Sequence, residues 1–91
     1  MKKYYLLDFD GLSDKKELHC YIQNKLKLPE YYGRNLDALN DCLWEVNACV
    51  ILRHIGALDR FGDYGRTLME VFRSVAQRSE RFGIIELDDD Q

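Results

Sequence analysis

The sequence predicts an α/β fold, a three-stranded parallel sheet packed by three long helices and a short one. Three observations lead there. Short continuous apolar runs stand near residues 3–9, 49–52 and 84–87, as strands of a covered parallel sheet do. Between them, apolar residues recur every three or four positions, which is the helical period. Strands separated by helices have the crossover length that parallel pairing needs, and right-handed crossovers lay the apolar helix faces on the sheet.

The first strand, residues 3–9, carries the run Tyr4-Tyr5-Leu6-Leu7, which reads as covered on both faces, and Asp10 and Gly11 end it. Asp14 followed by Glu17 fits an acidic capping box, after which Leu18, Tyr21, Ile22, Lys25 and Leu26 run at helical spacing. This first helix stops before Pro29, which disfavours helical geometry at Leu28 and has no N–H to donate, so residues 27–33 form a loop. Asn35 is a suitable N-cap for a second helix whose apolar face is Leu36, Leu39, Leu43 and Val46, with Asp37, Asn40, Asp41 and Trp44 on the other.

Cys49-Val50-Ile51-Leu52, bounded by Asn47 and Arg53, reads as a buried strand. Residues 56–65 are rich in breakers, and Leu58 and Phe61 are expected to dock a short helix or ordered loop. Leu68, Val71, Phe72, Val75 and Ala76 then mark a third long helix over residues 66–81, with Gly83 as its stop. Residues 84–87 supply the last strand, and residues 88–90 a solvated acidic tail.

Ninety-one residues suit one domain spanning residues 1–91. Hydrophobic residues at 46% argue against disorder, while no apolar run nears the ~20 residues of a membrane span. The first residues are too short an apolar stretch for a secretory signal. Cys20, Cys42 and Cys49 are odd in number and form no Cys-x-x-Cys pair, which suits reduced thiols in the cytoplasm better than a disulfide framework. With His19 and His54 they lack zinc-ligand spacing, so neither metal nor cofactor is expected.

The net charge of −3 is unevenly placed. Residues 28–45 hold Glu30, Asp37, Asp41 and Glu45 against Arg34, and setting those five aside leaves twelve basic against twelve acidic residues. The whole excess therefore sits on one segment. A balanced remainder offers no basic stripe, and an acidic patch repels phosphates, so direct nucleic-acid binding is disfavoured and a basic partner favoured.

Asp37 and Asp41 stand four apart on one helix face and repel each other by about 0.2–0.5 kcal/mol. Asp37, two positions past the N-cap, also complements the helix dipole; Asp41 lies too deep for that. Tyr31 and Tyr32 suggest one ring turned in and one out, and Trp44 is either an interface anchor or a lid on the core edge. A carboxylate-dyad enzyme is the rival class, but the chain shows no nucleophile motif, glycine-rich phosphate loop or metal-ligand cluster. An acidic adaptor for another basic protein would keep the interface and change the partner.

The run from Leu28 to Leu43, Leu-Pro-Glu-Tyr-Tyr-Gly-Arg-Asn-Leu-Asp-Ala-Leu-Asn-Asp-Cys-Leu, resembles the signature segment of the barstar family, intracellular inhibitors of secreted bacterial ribonucleases. Val71, Phe72 and Arg73 resemble that family's last long helix, and length and element order agree. The resemblance implies a barstar-like fold and a stoichiometric inhibitor that plugs a small basic guanyl-type ribonuclease with its second helix and preceding loop. Under it, Asp41 is the central carboxylate at the enzyme's phosphate site and Asp37 engages a neighbouring cation. Tyr31 and Tyr32 would pack on the rim, Gly33 would allow close backbone approach, and Asn35, Asn40 and Trp44 complete the surface. The chain departs from the family's type member at several positions: Asn40 replaces a tryptophan, Ser74 and Arg78 replace acids that face the enzyme, and Trp44, Glu45 and Val46 stand where a glycine-tryptophan pair ends its second helix. A related ribonuclease with a different rim is the expectation.

Overall fold

The computed structural model describes residues 3–87. The expected α/β architecture is present. Strands β1 (Lys3–Asp8), β2 (Ala48–Arg53) and β3 (Phe82–Glu86) form one sheet in the order β1-β2-β3, with every pair parallel. Helices α1 (Lys15–Leu26) and α2 (Leu36–Leu43) make the first crossover; a 3-10 helix (Ile55–Phe61) and α3 (Asp63–Arg78) make the second. The acidic tail read at residues 88–90 lies outside the described residues.

The register explains how the sheet is covered. Tyr5, Val50 and Ile84 form one cross-strand row, and Leu7 pairs with Leu52 in the next; Leu7, Val50 and Leu52 are fully buried beneath the helices. The alternate rows, Tyr4-Cys49-Gly83 and Leu6-Ile51-Ile85, point the other way. On that side Tyr4 is 63% exposed, Leu6 41% and Ile85 44%. The expectation that the first strand is covered on both faces is therefore wrong. Strand order follows chain order, so two crossovers of the same hand place all their helices on one side and leave the other face open. The unbroken Tyr-Tyr-Leu-Leu run concealed an alternation.

Helix α1 starts as its residues dictate. The Asp14 carboxylate accepts the Glu17 N–H at 2.8 Å, and the Glu17 carboxylate accepts the Ser13 N–H at 2.6 Å. Its buried stripe is Leu18, His19, Ile22 and Leu26. It ends on Lys27 in the left-handed region, two residues before Pro29.

Helix α3 is displaced from its expected span of residues 66–81. Gly62, at φ 60°, turns the chain into it, and Gly65 lets it pass the 3-10 helix closely, since a Cβ there would stand 2.3 Å from the Leu58 carbonyl oxygen. Its end comes at Ser79, whose hydroxyl accepts the N–H groups of Arg81 and Phe82 at 3.0 Å each. Phe82 then enters β3, buried against Phe72 with ring centroids 6.3 Å apart. Gly83 is thus no helix stop: it lies inside β3, paired with Cys49. Leu58 is buried and Phe61 half-buried, docking the short helix as expected.

Candidate partner-binding site

The segment that carries the acidic excess is held at both ends. At its entry, the Lys27 and Leu28 N–H groups both reach the Gln23 carbonyl, and the Gln23 side-chain amide donates to the Pro29 carbonyl at 2.8 Å. The Tyr32 N–H closes a turn on the same Pro29 carbonyl at 3.0 Å. Arg34 takes a left-handed conformation, φ 55°, and its guanidinium Nε donates to Gln23 Oε1 at 3.4 Å. Asn35 then caps α2, its side-chain oxygen accepting the Ala38 N–H at 2.8 Å while its amide nitrogen donates to the Gly33 carbonyl at 3.3 Å. Side chains and turns thus leave the loop little freedom.

The helix that follows is anchored by Leu39 and Leu43, both fully buried, with Leu36, Ala38 and Cys42 half-buried beside them. This face fixes the opposite one. Asp37 and Asp41 are both exposed, one turn apart, with about 6 Å of rise between them. The ion pairs among the described residues are His54–Asp8, Arg66–Asp63 and Arg73–Glu86, so neither carboxylate has an ion partner among them. Burial, with the charges of Asp41 and Glu45 adding to it, pushes the Cys42 thiol up, so it stays protonated beneath the acidic face.

The tyrosines divide as their adjacency suggests. Tyr31 is 85% exposed and Tyr32 only 4%, so Tyr31 faces outward and Tyr32 belongs to the core rather than to a rim contact. Gly33 gains an internal reason: a Cβ there would come within 3.2 Å of Ala38 Cβ, so glycine lets the loop lie against the helix it feeds. Asn40 is half-buried on the flank of the helix. Trp44 is half-buried against the core and ends α2, its carbonyl accepting from Arg81 at 2.8 Å, which favours the lid over the free anchor. On α3, Ser74 is half-buried and Arg78 exposed.

One supporting residue escaped the sequence reading. His19, 1% exposed, bonds through Nδ1 to the Tyr32 hydroxyl at 2.6 Å and through Nε2 to the Tyr64 hydroxyl at 2.5 Å. It ties α1, the loop and α3 together. A neutral ring donates with one nitrogen and accepts with the other, and burial holds the His19 pKa below the ordinary histidine value. Burial likewise raises the hydroxyl pKa of Tyr32, and that of Tyr64. The signal was present, because His19 stands three and seven residues before Ile22 and Leu26, on the apolar stripe. His54, by contrast, closes the sheet's carboxyl edge by pairing with Asp8 at 2.9 Å.

Among the described residues no three His, Cys, Asp or Glu side chains gather to hold a metal, and no helix is long and apolar enough to cross a membrane. The segment thus exposes Asp37 and Asp41 on one helix and Tyr31 in the loop before it.

The family model described as Barstar (barnase inhibitor) matches residues 3–85. A relative from Bacillus subtilis (strain 168), named "Putative ribonuclease inhibitor YrdF", is 35% identical over 83 residues, covering 86% of this chain and 88% of that protein. The match spans the strands, the helices and the loop that presents Asp37 and Asp41, and with it the chain belongs to the barstar family, a family of inhibitors rather than enzymes.

Proposed function

We propose that this chain is a stoichiometric inhibitor of a small basic bacterial ribonuclease of the guanyl type, which it plugs with α2 and the loop before it. The observation that carries the reading is the pair Asp37 and Asp41, exposed and without ion partners among the described residues, on a helix anchored from its other side by the fully buried Leu39 and Leu43. A ribonuclease gathers cations in a cleft to bind RNA phosphates. Carboxylates fixed on a rigid helix satisfy those cations without the ordering cost a flexible segment would carry. In this reading Asp41 occupies the phosphate position, Asp37 a neighbouring basic group, and Tyr31 packs on the rim; Tyr32, Gly33 and Asn35 shape the loop from within. A cytoplasmic location fits an inhibitor that protects its own cell before the enzyme is secreted.

The test is titration against a panel of small basic guanyl-type ribonucleases, beginning with any encoded by the same organism. One-to-one binding at about nanomolar Kd or tighter, with loss of RNA cleavage, is expected. Binding that leaves cleavage intact would instead favour an acidic adaptor.

A further inference from the structure

Strand β1 is an edge of the sheet, and its backbone divides by position. The Phe9 N–H reaches the Arg53 carbonyl at 3.0 Å, so in the alternation of a parallel ladder Tyr5 and Leu7 also turn their polar groups to β2, while Tyr4, Leu6 and Asp8 turn theirs outward. The Asp8 N–H is met there by the Tyr21 hydroxyl of α1 at 2.8 Å. Tyr4 and Leu6 have no such cover: among the described residues nothing bonds their outward N–H and carbonyl groups.

The side chains around this open half are apolar or aromatic. Tyr4 and Leu6 are exposed on the outer face. Tyr5, on the helix side, borders a cavity of about 440 Å³ whose walls include Leu26, Leu28, Pro29 and Val46. The opposite edge is built differently. On β3 the Phe82 N–H is taken by the Ser79 hydroxyl and Glu86 pairs with Arg73, so charge guards that edge, whereas nothing charged stands on β1 between Lys3 and Asp8.

We propose that the open half of β1 is a self-association edge, at which two copies of this chain pair antiparallel about a two-fold axis and join their sheets into one of six strands. An axis normal to the sheet keeps both helix layers on one side and fixes which registers are possible. Centred on Tyr5, it sets Tyr4 opposite Leu6 of the second copy and Leu6 opposite its Tyr4. Those two pairs form four hydrogen bonds and use the very groups that are open. Centred on Leu6, it would set Tyr4 against Asp8, whose N–H already bonds Tyr21. The first register also brings the two Tyr5 side chains together on the helix side, where the cavity of each copy gives the other's ring room. The inference does not rest on the inhibitor reading: Asp37 and Asp41 do not line the cavity, and each copy keeps its own acidic helix.

Sedimentation of the wild-type chain from about 1 µM to 1 mM should show its mass rising towards that of two chains. Leu6→Pro deletes an outward N–H that β2 does not use and should weaken association about tenfold or more. Tyr4→Lys places a charge on the exposed edge and should act in the same direction, which keeps a readout if the proline variant folds poorly. Under mild oxidation Tyr5→Cys should link two chains through the introduced thiols, because facing residues of a non-hydrogen-bonded antiparallel pair bring their Cα atoms to about 4.5 Å; Leu6→Cys should not. A wild-type chain that stays monomeric throughout overturns the proposal and leaves the edge to an extended segment of some other protein. Association that survives in both edge variants, each shown to be folded by urea unfolding, also overturns it, and linkage through Leu6→Cys in preference to Tyr5→Cys overturns the register.

Discussion

Asp37 and Asp41 look equivalent on the helix surface and are not. Asp37 lies in the first turn of α2, where its charge favours the helix by about 0.3–1 kcal/mol, and Asp41 is beyond that effect. Asp37→Ala should therefore lower unfolding free energy in urea by about that amount, whereas Asp41→Ala should leave it within about 0.5 kcal/mol. Binding should respond in the other order, with Asp41 the larger loss. This distinction was legible in the residues alone, because it needs only a cap and a count. The role of Tyr32 was not, since two adjacent tyrosines in a loop do not say which ring turns inward. His19 decides it by offering a buried partner to Tyr32.

His19 also gives the fold a dependence on pH whose sign can be worked out. Burial depresses its folded pKa below the unfolded value of 6.5. Above that pH both states hold the ring neutral, and its contribution is complete. As pH falls below 6.5 the unfolded chain takes the proton that the folded chain refuses, so stability declines until the folded pKa is reached. The decline comes before that of Asp8 and Glu86. Each has a depressed pKa, Asp8 because its bonds from Asp10 N–H and His54 outweigh burial, Glu86 because of Arg73, and both act at lower pH. His19→Gln should flatten the fall between neutrality and mildly acidic pH in urea titrations, at a cost of about 1–3 kcal/mol for the phenol left without its partner.

At the scale of elements, backbone contacts set what periodicity could not. The apolar spacing of α3 is clear, yet its ends are fixed by Gly62 and by the Ser79 hydroxyl, neither of which belongs to the pattern. Glycine at position 83 drew the expected stop towards it, because a glycine after a helix and a glycine in a strand read alike until the pairing is known. Gly65 gives the sharpest test. Adding a methyl there meets backbone rather than a side chain that could yield, so Gly65→Ala should cost about 3 kcal/mol, the upper end for overpacking, and be read as a lower urea midpoint. By comparison, Asn35→Ala should remove the α2 cap for about 1 kcal/mol. That loss should also loosen partner binding, since the cap aligns the helix that carries both acids.

For the whole molecule, element order and strand order together determine which side is covered. The order of strands and helices was readable from the sequence, and so was the parallel sheet. That one face stays open was not, because exposed and buried apolar residues share an alphabet: Leu6 and Leu7 are chemically identical neighbours with opposite surroundings. Leu52→Ala, on the helix side, should cost about 2–5 kcal/mol. Leu6→Ala, on the open side, should stay within about 1 kcal/mol. Similar losses at both positions would mean that the outer face is covered after all. The same layout keeps the acidic helix on the covered side of the sheet, held by the core, and leaves its carboxylates as the part that faces outward.

The most direct measurement is a calorimetric titration of an inhibited guanyl-type ribonuclease with the wild-type chain, Asp41→Ala and Glu30→Ala, with RNA cleavage followed in parallel. The plug predicts a one-to-one complex without cleavage, weakened about thirtyfold or more by Asp41→Ala and little by Glu30→Ala, with all three chains equally folded. Equal effects of the two substitutions, or a complex that still cleaves RNA, would contradict it.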